Sequence, residues 1–320
     1  MNAAVVHTFN APPRYTSFSD PIAASNEVIV SVCAAGLHRV VKSLASGVHY
    51  GSTGALPLIP GVDGVGRLKD GKRVYFGVSR SSFGTFAQYC VTEGSFCLPI
   101  PDALDDVTVA AMMNPGMSSW AALKFRAQFV AGENVLILGA TGVAGQLAIQ
   151  VAKRLGAGRI VAAGRNPQAL EEAKRLGADA LISLDQNRES VVSALRQEWS
   201  KSNIDIILDY TWGEPAERVF EALSTKGLRR DSARIRYIQI GASAAPAISL
   251  PASVLRSTGI ELLGSGFNSV SIDKIFESAA AFLQEAARSP FQIRTKAAPL
   301  REVEALWNSP DQGTRVVFQP

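Results

Sequence analysis

The sequence predicts a two-domain α/β protein in which a β-rich domain precedes a doubly wound parallel-sheet domain. At roughly 150 residues per domain, a chain of 320 residues has room for two. Residues 1–115 carry short β-branched and aromatic runs separated by Gly and Pro, a pattern typical of strands joined by turns. After residue 118, near-continuous apolar strands alternate with amphipathic helices, which indicates a parallel sheet covered on both faces.

The first domain contains three clear strand candidates. They are EVIVSVCAAG (27–36), GKRVYFGV (71–78), which follows an Asp-Gly turn, and GTFAQYCV (84–91). The chain ends in TRVVFQP, a strand candidate that we expect to return to this domain. The predicted first domain therefore spans 1–115 together with 267–320.

The second domain, predicted over 116–266, shows a regular alternation of elements. Its strand candidates are residues 134–140, 159–164, 180–184, 204–210, 234–241 and 260–266. Its helix candidates are residues 143–156, 167–176, 187–200 and 215–224, and one more helix is expected near 271–287. Strands that alternate with helices of this length predict βαβ units.

Composition excludes several classes of protein. Of the residues, 47% are hydrophobic and 19% are charged, so the chain can bury a large core. Its formal net charge is +4. No basic-aromatic module accompanies its arginines, which argues against nucleic-acid binding. Three cysteines without a C-x-x-C pair predict reduced thiols. No signal peptide and no long apolar stretch is found, so we expect a cytoplasmic protein without a membrane partner.

A glycine loop follows the first strand of the second domain. In VLILGATGVAGQLAIQVAKRLGA (135–157) the glycines have G-x-x-G-x-x-G spacing, between a strand and a helix. Glycines here let the backbone approach a pyrophosphate at a helix N-terminus, although such a loop can also be a purely structural turn. The candidate cofactor contacts are Gly139, Ala140, Thr141, Gly142, Val143, Ala144 and Gly145.

The end of the next strand predicts which dinucleotide binds. Sites specific for NAD place an acidic residue roughly 20 residues after the loop. Here that position falls on Gly164, Arg165 and Asn166, where no acid is present. A guanidinium can pair with a 2′-phosphate, whereas a carboxylate would repel it. The sequence therefore favours NADP(H), and the alternative is a surface arginine at the strand end.

Several motifs together resemble the medium-chain dehydrogenase/reductase superfamily. No tyrosine is followed by lysine four residues later, which excludes the short-chain reductases. The similarity lies in EVIVSVCAAGLHRVVKSLASGVHY, PLIPGVDGVG, DGKRVYF with GTFAQY, the segment AAMMNPGMSSWAALKF before the glycine loop, and LGADALISL. The resemblance implies a GroES-like catalytic domain and a Rossmann domain, and it implies a homodimer.

Zinc ligands of that superfamily are missing here. Zinc members carry a cysteine after the Gly-Leu turn, a histidine in a Gly-His-Glu segment and a four-cysteine lobe. The corresponding residues are His38 and, in Gly61-Val62-Asp63, Val62, and there is no such lobe. Because Val62 has no ligand atom, His38 and Asp63 alone remain as candidates. We therefore expect no metal.

Without a metal, hydride transfer needs an acceptor that is already electrophilic. A quinone or a carbon–carbon double bond conjugated to a carbonyl fits, and the resemblance is to the zinc-free quinone oxidoreductase branch, whose members use NADPH. One alternative is an NADPH-binding sensor or regulatory protein with little or no turnover. Another is a reductase dedicated to one biosynthetic enone.

The resemblance also implies site residues outside the loop. His38 and Tyr50 are the catalytic candidates, which would hydrogen-bond the acceptor oxygen, and His38 could also donate a proton. Alternatively, His38 is a turn residue bonded to backbone and Tyr50 is a solvent-facing loop aromatic. The further cofactor candidates are Asn114, Ser118, Gly241, Ala242, Ser265, Gly266 and Arg315. For Ser118 the alternative is helix capping.

Overall fold

The computed structural model describes residues 1–224, 233–310 and 313–320, which divide into two compact units. Met1–Asn114 with Ala279–Pro320 form the first unit, and Pro115–Ser278 form the second. The sequence predicts that the chain returns to the first domain at residue 267, whereas residues 267–278 belong to the second unit. The return lies inside a helix, Ile272–Arg288, so no turn marks it in the sequence.

Strands and helices occur throughout the described ranges. The strands are β1 (Asn2–Val5), β2 (Arg14–Ser17), β3 (Glu27–Gly36), β4 (Asp63–Arg67), β5 (Arg73–Gly77), β6 (Tyr89–Glu93), β7 (Cys97–Pro99), β8 (Asn134–Leu138), β9 (Arg159–Gly164), β10 (Ala180–Ser183), β11 (Ile206–Asp209), β12 (Arg234–Gln239), β13 (Gly259–Gly264), β14 (Arg294–Pro299) and β15 (Thr314–Gln319). The helices are α1 (Arg39–Ala45), α2 (Asp106–Ala121), α3 (Val143–Arg154), α4 (Pro167–Leu176), α5 (Arg188–Lys201), α6 (Gly213–Leu223), α7 (Ala252–Ser257), α8 (Ile272–Arg288) and α9 (Val303–Leu306).

The second unit is built on a parallel sheet. Among the described residues its strand order is β10-β9-β8-β11-β12-β13. Counted from β8 this is the 3-2-1-4-5-6 order of the Rossmann fold. The central strand β11 is buried at every position, as expected when helices cover both faces of a sheet. The structure confirms the predicted doubly wound parallel sheet.

Local sequence explains where two of its helices begin. The Asn166 side chain accepts a hydrogen bond from Ala169 N, and Pro167 takes the first position of α4. The Asn187 side chain does the same for Ser190 N at the start of α5. Gly177, with φ 120°, ends α4 in a conformation that favours glycine. These helices agree with the predicted ranges to within one residue at each end.

The first unit contains a mixed sheet. Its strands follow the order β14-β15-β3-β4-β5-β7 among the described residues, and β6 also pairs with β3. The C-terminal strand β15 pairs antiparallel with β3, as the sequence led us to expect. The candidate 84–91 is wrong at residues 84–88, because β6 begins at Tyr89. There Gly84 packs against backbone: a Cβ on it would lie 2.3 Å from Ile59 O.

No helix in the described part of the chain has the length and apolar character needed to cross a lipid bilayer.

A buried carboxylate organises the core of the second unit. Tyr237 is fully buried and donates a hydrogen bond of 2.7 Å to Asp209 Oδ2, while its ring stacks on Phe220. Asp209 Oδ1 accepts from the backbone amide and hydroxyl of Thr211 and from Trp212 N. Burial is the larger cause, and the charge of Asp209 the smaller one, that raises the pKa of Tyr237 well above its ordinary value. The phenol therefore remains a hydrogen-bond donor. Asp209 is thereby compensated on both oxygens.

We predict that Tyr237→Phe destabilises the protein by about 1.5–3 kcal/mol, because a buried hydrogen bond to a charged group is lost. The measurement is the free energy of unfolding from denaturant titration. Tyr89→Phe removes a hydroxyl from a side chain that is 39% exposed and is the matched control, with an expected change below about 0.5 kcal/mol. Equal losses in the two variants would contradict the importance of this bond.

Candidate functional site

The glycine loop joins β8 to α3 in a way that requires glycine at two positions. Gly139 has φ 83°, in the left-handed region. A Cβ on Gly145 would lie 2.3 Å from Gly139 O and 2.6 Å from Ala140 Cα, so α3 packs directly on the loop backbone. Gly142 is different, because the nearest atom to a Cβ there is 3.6 Å away. A Cβ at Gly142 would therefore make only an ordinary van der Waals contact, and the packing does not require glycine there.

The N-terminus of α3 is suited to an anion. Gly142 is the N-cap residue, and among the described residues no side chain caps this helix end. The first amide groups of a helix have no intrahelical acceptor and carry the positive end of its dipole. The amides of Val143, Ala144 and Gly145 are these donors at the start of α3. This arrangement can hold a phosphate group.

Hydrogen bonds fix the loop to the neighbouring strand. Gly139 N and Ala140 N both donate to Ala163 O of β9, each at 3.0 Å. At the end of β9, a Cβ on Gly164 would lie 2.4 Å from Thr141 Cγ2, so Gly164 allows Thr141 to approach. Gly164 thus serves the loop by its lack of a side chain.

Arg165 and Asn166 follow β9 with different surroundings. Asn166 Oδ1 is engaged as the cap of α4, which gives this predicted cofactor residue a structural role. Arg165 is exposed, and within the described ranges its guanidinium forms no ion pair. A cation next to the glycine loop is therefore available to an anionic group.

A tyrosine and a serine that sequence reasoning missed lie beside the loop. The strand order reverses between β8 and β11, and ligands bind at such switch points. Tyr210 directly follows β11, and a Cβ on Gly139 would be 3.3 Å from Tyr210 Cβ. The Tyr210 hydroxyl lies 2.9 Å from the Ser119 hydroxyl, which lies 2.9 Å from Pro115 O. The position of Tyr210 at the carboxyl end of a predicted strand was a usable signal.

The direction of these two hydrogen bonds follows from counting protons. A carbonyl oxygen can only accept, so the single Ser119 proton goes to Pro115 O, and Tyr210 donates to Ser119. Burial raises the pKa of Tyr210 above its ordinary value, which keeps its proton in place. The oxygen of Tyr210 therefore retains acceptor capacity. Ser118, the predicted residue, is half-buried and Ser119 is buried; both lie inside α2, so neither caps that helix.

The other predicted residues of the second unit lie at the carboxyl ends of β12 and β13. Gly241 lies against the backbone of Tyr210, at 2.9 Å from a Cβ to Tyr210 O, and Ala242 beside it is exposed. Ser265 N donates to Gln239 O, and Gly266 N donates to the Ser269 hydroxyl. A cavity of about 330 Å³ in this unit is lined by Trp212, Gln239, Pro246, Leu262, Leu263 and Gly264.

In the first unit, His38 lies in a buried polar cluster. It precedes α1, its side chain is 3% exposed, and its Nε2 is 3.4 Å from Asp63 Oδ1. Asp63 Oδ2 accepts a 2.9 Å hydrogen bond from the Tyr75 hydroxyl. The alternative role of His38 in the sequence analysis, a side chain bonded to backbone, does not occur in the described structure.

Three more predicted residues of this unit are spread along it. Tyr50 is 65% exposed, in contact with the ring of His49, as its solvent-facing alternative supposed. Asn114 lies within α2 and is the last residue of the segment Met1–Asn114 of this unit. Arg315 is buried in β15 and donates a 2.6 Å hydrogen bond to Leu37 O, next to His38. The structure therefore brings Arg315 near His38 and gives it a role in the turn before α1.

The residues present do not fit a zinc ion. A catalytic zinc takes three protein ligands and keeps an open position. His38 and Asp63 approach each other, but in the described ranges no group of three or more His, Cys, Asp and Glu side chains could hold a metal. The Val62 side chain, at the position of a zinc-binding histidine in the sequence pattern, has no donor atom.

Comparisons with known proteins find similarity to a dehydrogenase family and to quinone reductases. Residues 143–285 match the family described as zinc-binding dehydrogenase. Over the whole of both chains, this chain is 27% identical to the protein described as "Probable NADPH-dependent quinone reductase tdiC" of Emericella nidulans. It is 32% identical over 169 residues to the quinone oxidoreductase of Rattus norvegicus, and this alignment covers 49% of the chain and 50% of the rat protein.

A solved structure extends the similarity to three dimensions. The quinone oxidoreductase of Thermus thermophilus, whose crystal structures include a complex with NADPH, superposes with a TM-score of 0.81. The match covers 100% of both chains at 26% sequence identity. Similarity in sequence and in fold therefore extends over both units of the chain.

We predict opposite outcomes for two substitutions in the glycine loop. Gly145→Ala forces a methyl group into backbone and should lower the free energy of unfolding by about 1–3 kcal/mol. Gly142→Ala, the matched control, places the same methyl group at an ordinary van der Waals distance from its nearest neighbour. There a poorer N-cap residue is offset by reduced entropy of the unfolded chain, so a change within about 0.5 kcal/mol is expected. Denaturant titration measures both, and a stable Gly145→Ala variant would contradict the packing argument.

Proposed function

The chain belongs to the medium-chain dehydrogenase/reductase superfamily, in its quinone-reductase-like branch, and we propose that it transfers hydride to a quinone or an α,β-unsaturated carbonyl compound without a metal ion. Its cofactor is NADP(H), and its chemistry is oxidoreduction of the NADPH-dependent quinone reductase type. The observation that carries the proposal is the uncapped glycine loop at the switch point of a Rossmann sheet, with Arg165 at the end of the next strand.

The residues that would hold the cofactor fit a dinucleotide. The amides of Val143, Ala144 and Gly145 at the start of α3 suit the pyrophosphate. When bound, NADPH supplies the hydride. Tyr210 and Ser119 border the loop on the side of β11 and add an oxygen acceptor to it. Gly241, Ala242, Ser265 and Gly266 stay candidate contacts at the neighbouring strand ends.

Arg165 supports discrimination in favour of the phosphorylated dinucleotide. It is exposed and unengaged in the described structure, so it can turn to a 2′-phosphate without breaking an existing ion pair. Asn166 is engaged in capping α4 through Oδ1, and we assign the selectivity to Arg165 alone. A charge-assisted hydrogen bond of this kind contributes about 1.5–3 kcal/mol.

Metal-free chemistry is supported by the donor set around His38. With two ligands at most, the site cannot supply the Lewis acid that alcohol oxidation uses. An acceptor that is already electrophilic needs only a group that stabilises charge on its oxygen. His38 and Tyr50 are proposed for that role, through hydrogen bonding or, for His38, proton donation.

The burial of His38 favours the alternative function, an NADPH-binding protein without turnover. A side chain that is 3% exposed is hard for a substrate oxygen to reach, and Tyr50, at 65% exposed, is not held in place by a pocket. If both residues are structural, the chain would bind NADPH and act as a sensor or regulatory protein without turnover. The acceptor experiment below separates the two functions.

Assembly and location stay predictions. The strand β13 lies at one edge of the described parallel sheet and none of its six residues is buried, which suits pairing with a second copy in a homodimer. We propose the cytoplasm as its compartment, consistent with three free cysteines.

We predict that Arg165→Ala raises the dissociation constant for NADPH about 10- to 100-fold while changing that for NADH less than about twofold. The cause is the loss of one guanidinium contact with the 2′-phosphate. Binding is measured by calorimetry or by the fluorescence of the reduced nicotinamide. Arg256→Ala removes another exposed arginine of the same unit and is the control, with no expected effect. Equal weakening of both dinucleotides by Arg165→Ala would contradict the assignment.

We predict that the protein oxidises NADPH in the presence of a small quinone or an α,β-unsaturated ketone, because hydride needs an electrophilic acceptor. A saturated ketone of the same carbon skeleton should leave the rate at background. The absorbance of reduced nicotinamide follows the reaction, and treatment with a metal chelator should not change its rate. Tight NADPH binding with background rates for every acceptor would instead establish the binding-protein alternative.

A further inference from the structure

Three buried polar atoms around His38 have no hydrogen-bond partner in the described structure. They are His38 Nδ1, His38 Nε2 and Asp63 Oδ1. An unsatisfied buried polar group costs about 1–3 kcal/mol, so three of them in one place call for an explanation. Two of the three, His38 Nε2 and Asp63 Oδ1, are 3.4 Å apart, close enough to tighten into a hydrogen bond with a small shift.

Asp63 is held so that one oxygen is left for the imidazole. Its Oδ2 accepts from the Tyr75 hydroxyl at 2.9 Å, and its backbone carbonyl accepts from the Thr85 hydroxyl at 2.8 Å. Burial, then the charge of Asp63, raises the pKa of Tyr75 well above its ordinary value, so Tyr75 stays a donor. With Oδ2 occupied by Tyr75, Oδ1 remains directed to Nε2 of His38.

Gly36 also limits the position of the imidazole. A Cβ on Gly36 would lie 2.6 Å from His38 Nε2, so the ring occupies the volume that this glycine leaves empty. Arg315 bonds the carbonyl of Leu37, which fixes the turn that carries His38. Among the described charged and titratable groups, Asp63 from β4 lies against this ring, Tyr75 from β5 reaches it through Asp63, and Arg315 from β15 bonds the residue before it. A side chain with no freedom to swing away is suited to a positioned role.

We propose that Asp63, held by Tyr75, is a positioning residue that keeps the His38 imidazole as the tautomer with its proton on Nε2, so that Nδ1 is the nitrogen that exchanges a proton with the acceptor. Proton donation rests on the proposed function. Before it donates, the neutral ring takes up one proton from the solvent at Nδ1. When hydride reaches the acceptor, the oxygen that gains charge takes this Nδ1 proton, so one hydride and one proton are consumed per acceptor. The neutral ring left behind still faces Asp63 through Nε2–H, as in other carboxylate–histidine pairs.

The experiment reads the tautomer directly. The chain has three histidines, so nitrogen-15 NMR of the imidazoles, recorded without cofactor or acceptor, resolves few signals. The His38 signal is assigned by its loss in His38→Gln. We expect the wild-type protein to show the Nε2–H form. Asp63→Asn, whose amide can donate to Nε2, should shift His38 toward the Nδ1–H form. An Nδ1–H ring in the wild-type protein would overturn the proposal without any variant.

Two controls separate position from folding. Tyr75→Phe keeps the carboxylate and should retain the Nε2–H form, while Asp102→Asn removes an exposed charge from the same unit and should change nothing. If the Nε2–H form persists in Asp63→Asn, Asp63 does not set the tautomer and the proposal is overturned.

Activity then tests the chemical role. Asp63→Asn should lower kcat for a quinone by about 100-fold while leaving the dissociation constant for NADPH unchanged, since it acts on the proton donor. If the tautomers are as expected but the rate stays at background with every acceptor, the Asp63–His38 pair is supported and the proposed function is contradicted. A shifted tautomer with unchanged kcat would overturn the role of Nδ1 as the donor.

Discussion

Helix α3 lies so close to the end of β8 that no side chain fits between them. Gly145 on the helix touches the backbone of Gly139 and Ala140, and this contact determines where the helix begins and which way its first amides point. The loop is held to β9 through Ala163 O, and Tyr210 stands against Gly139 from the other side. The proposed phosphate site of the second unit depends on this backbone contact, because amides at a helix N-terminus bind a phosphate through their positions.

Two buried carboxylates show how the same pairing leads to different roles. Asp209 and Asp63 each accept a hydrogen bond from a buried tyrosine, Tyr237 and Tyr75. Oδ1 of Asp209 accepts from the turn after β11, and Oδ2 accepts from Tyr237 and from Trp212 N of that turn, so its charge stabilises structure. Asp63 has one oxygen left over, and it faces an imidazole. A carboxylate that is not fully used by the fold remains available for chemistry.

The sequence predicted most of the second unit and part of its site. Alternation of strands and helices, caps such as Asn166 and the glycine spacing are local signals, and they located α4, α5 and the loop closely. The segment before β6 was misread, because Gly84 packs on the backbone at Ile59, a contact between distant residues. Ser119 and Tyr210 were missed for the same reason: their hydroxyls meet across 91 residues of sequence.

By itself, the sequence determined the parallel sheet, the glycine loop, the arginine where an acid would select NAD, and the lack of a zinc ligand at Val62. Each of these follows from residue type and short-range spacing, which the chain carries in any conformation. Tertiary structure alone decided that His38 meets Asp63, that Tyr75 holds that carboxylate, and that Asn166 caps a helix while Arg165 is left free of ion pairs in the described structure. These outcomes depend on where the side chains point after strands and helices have packed. The spacing of residues along the chain does not determine that direction.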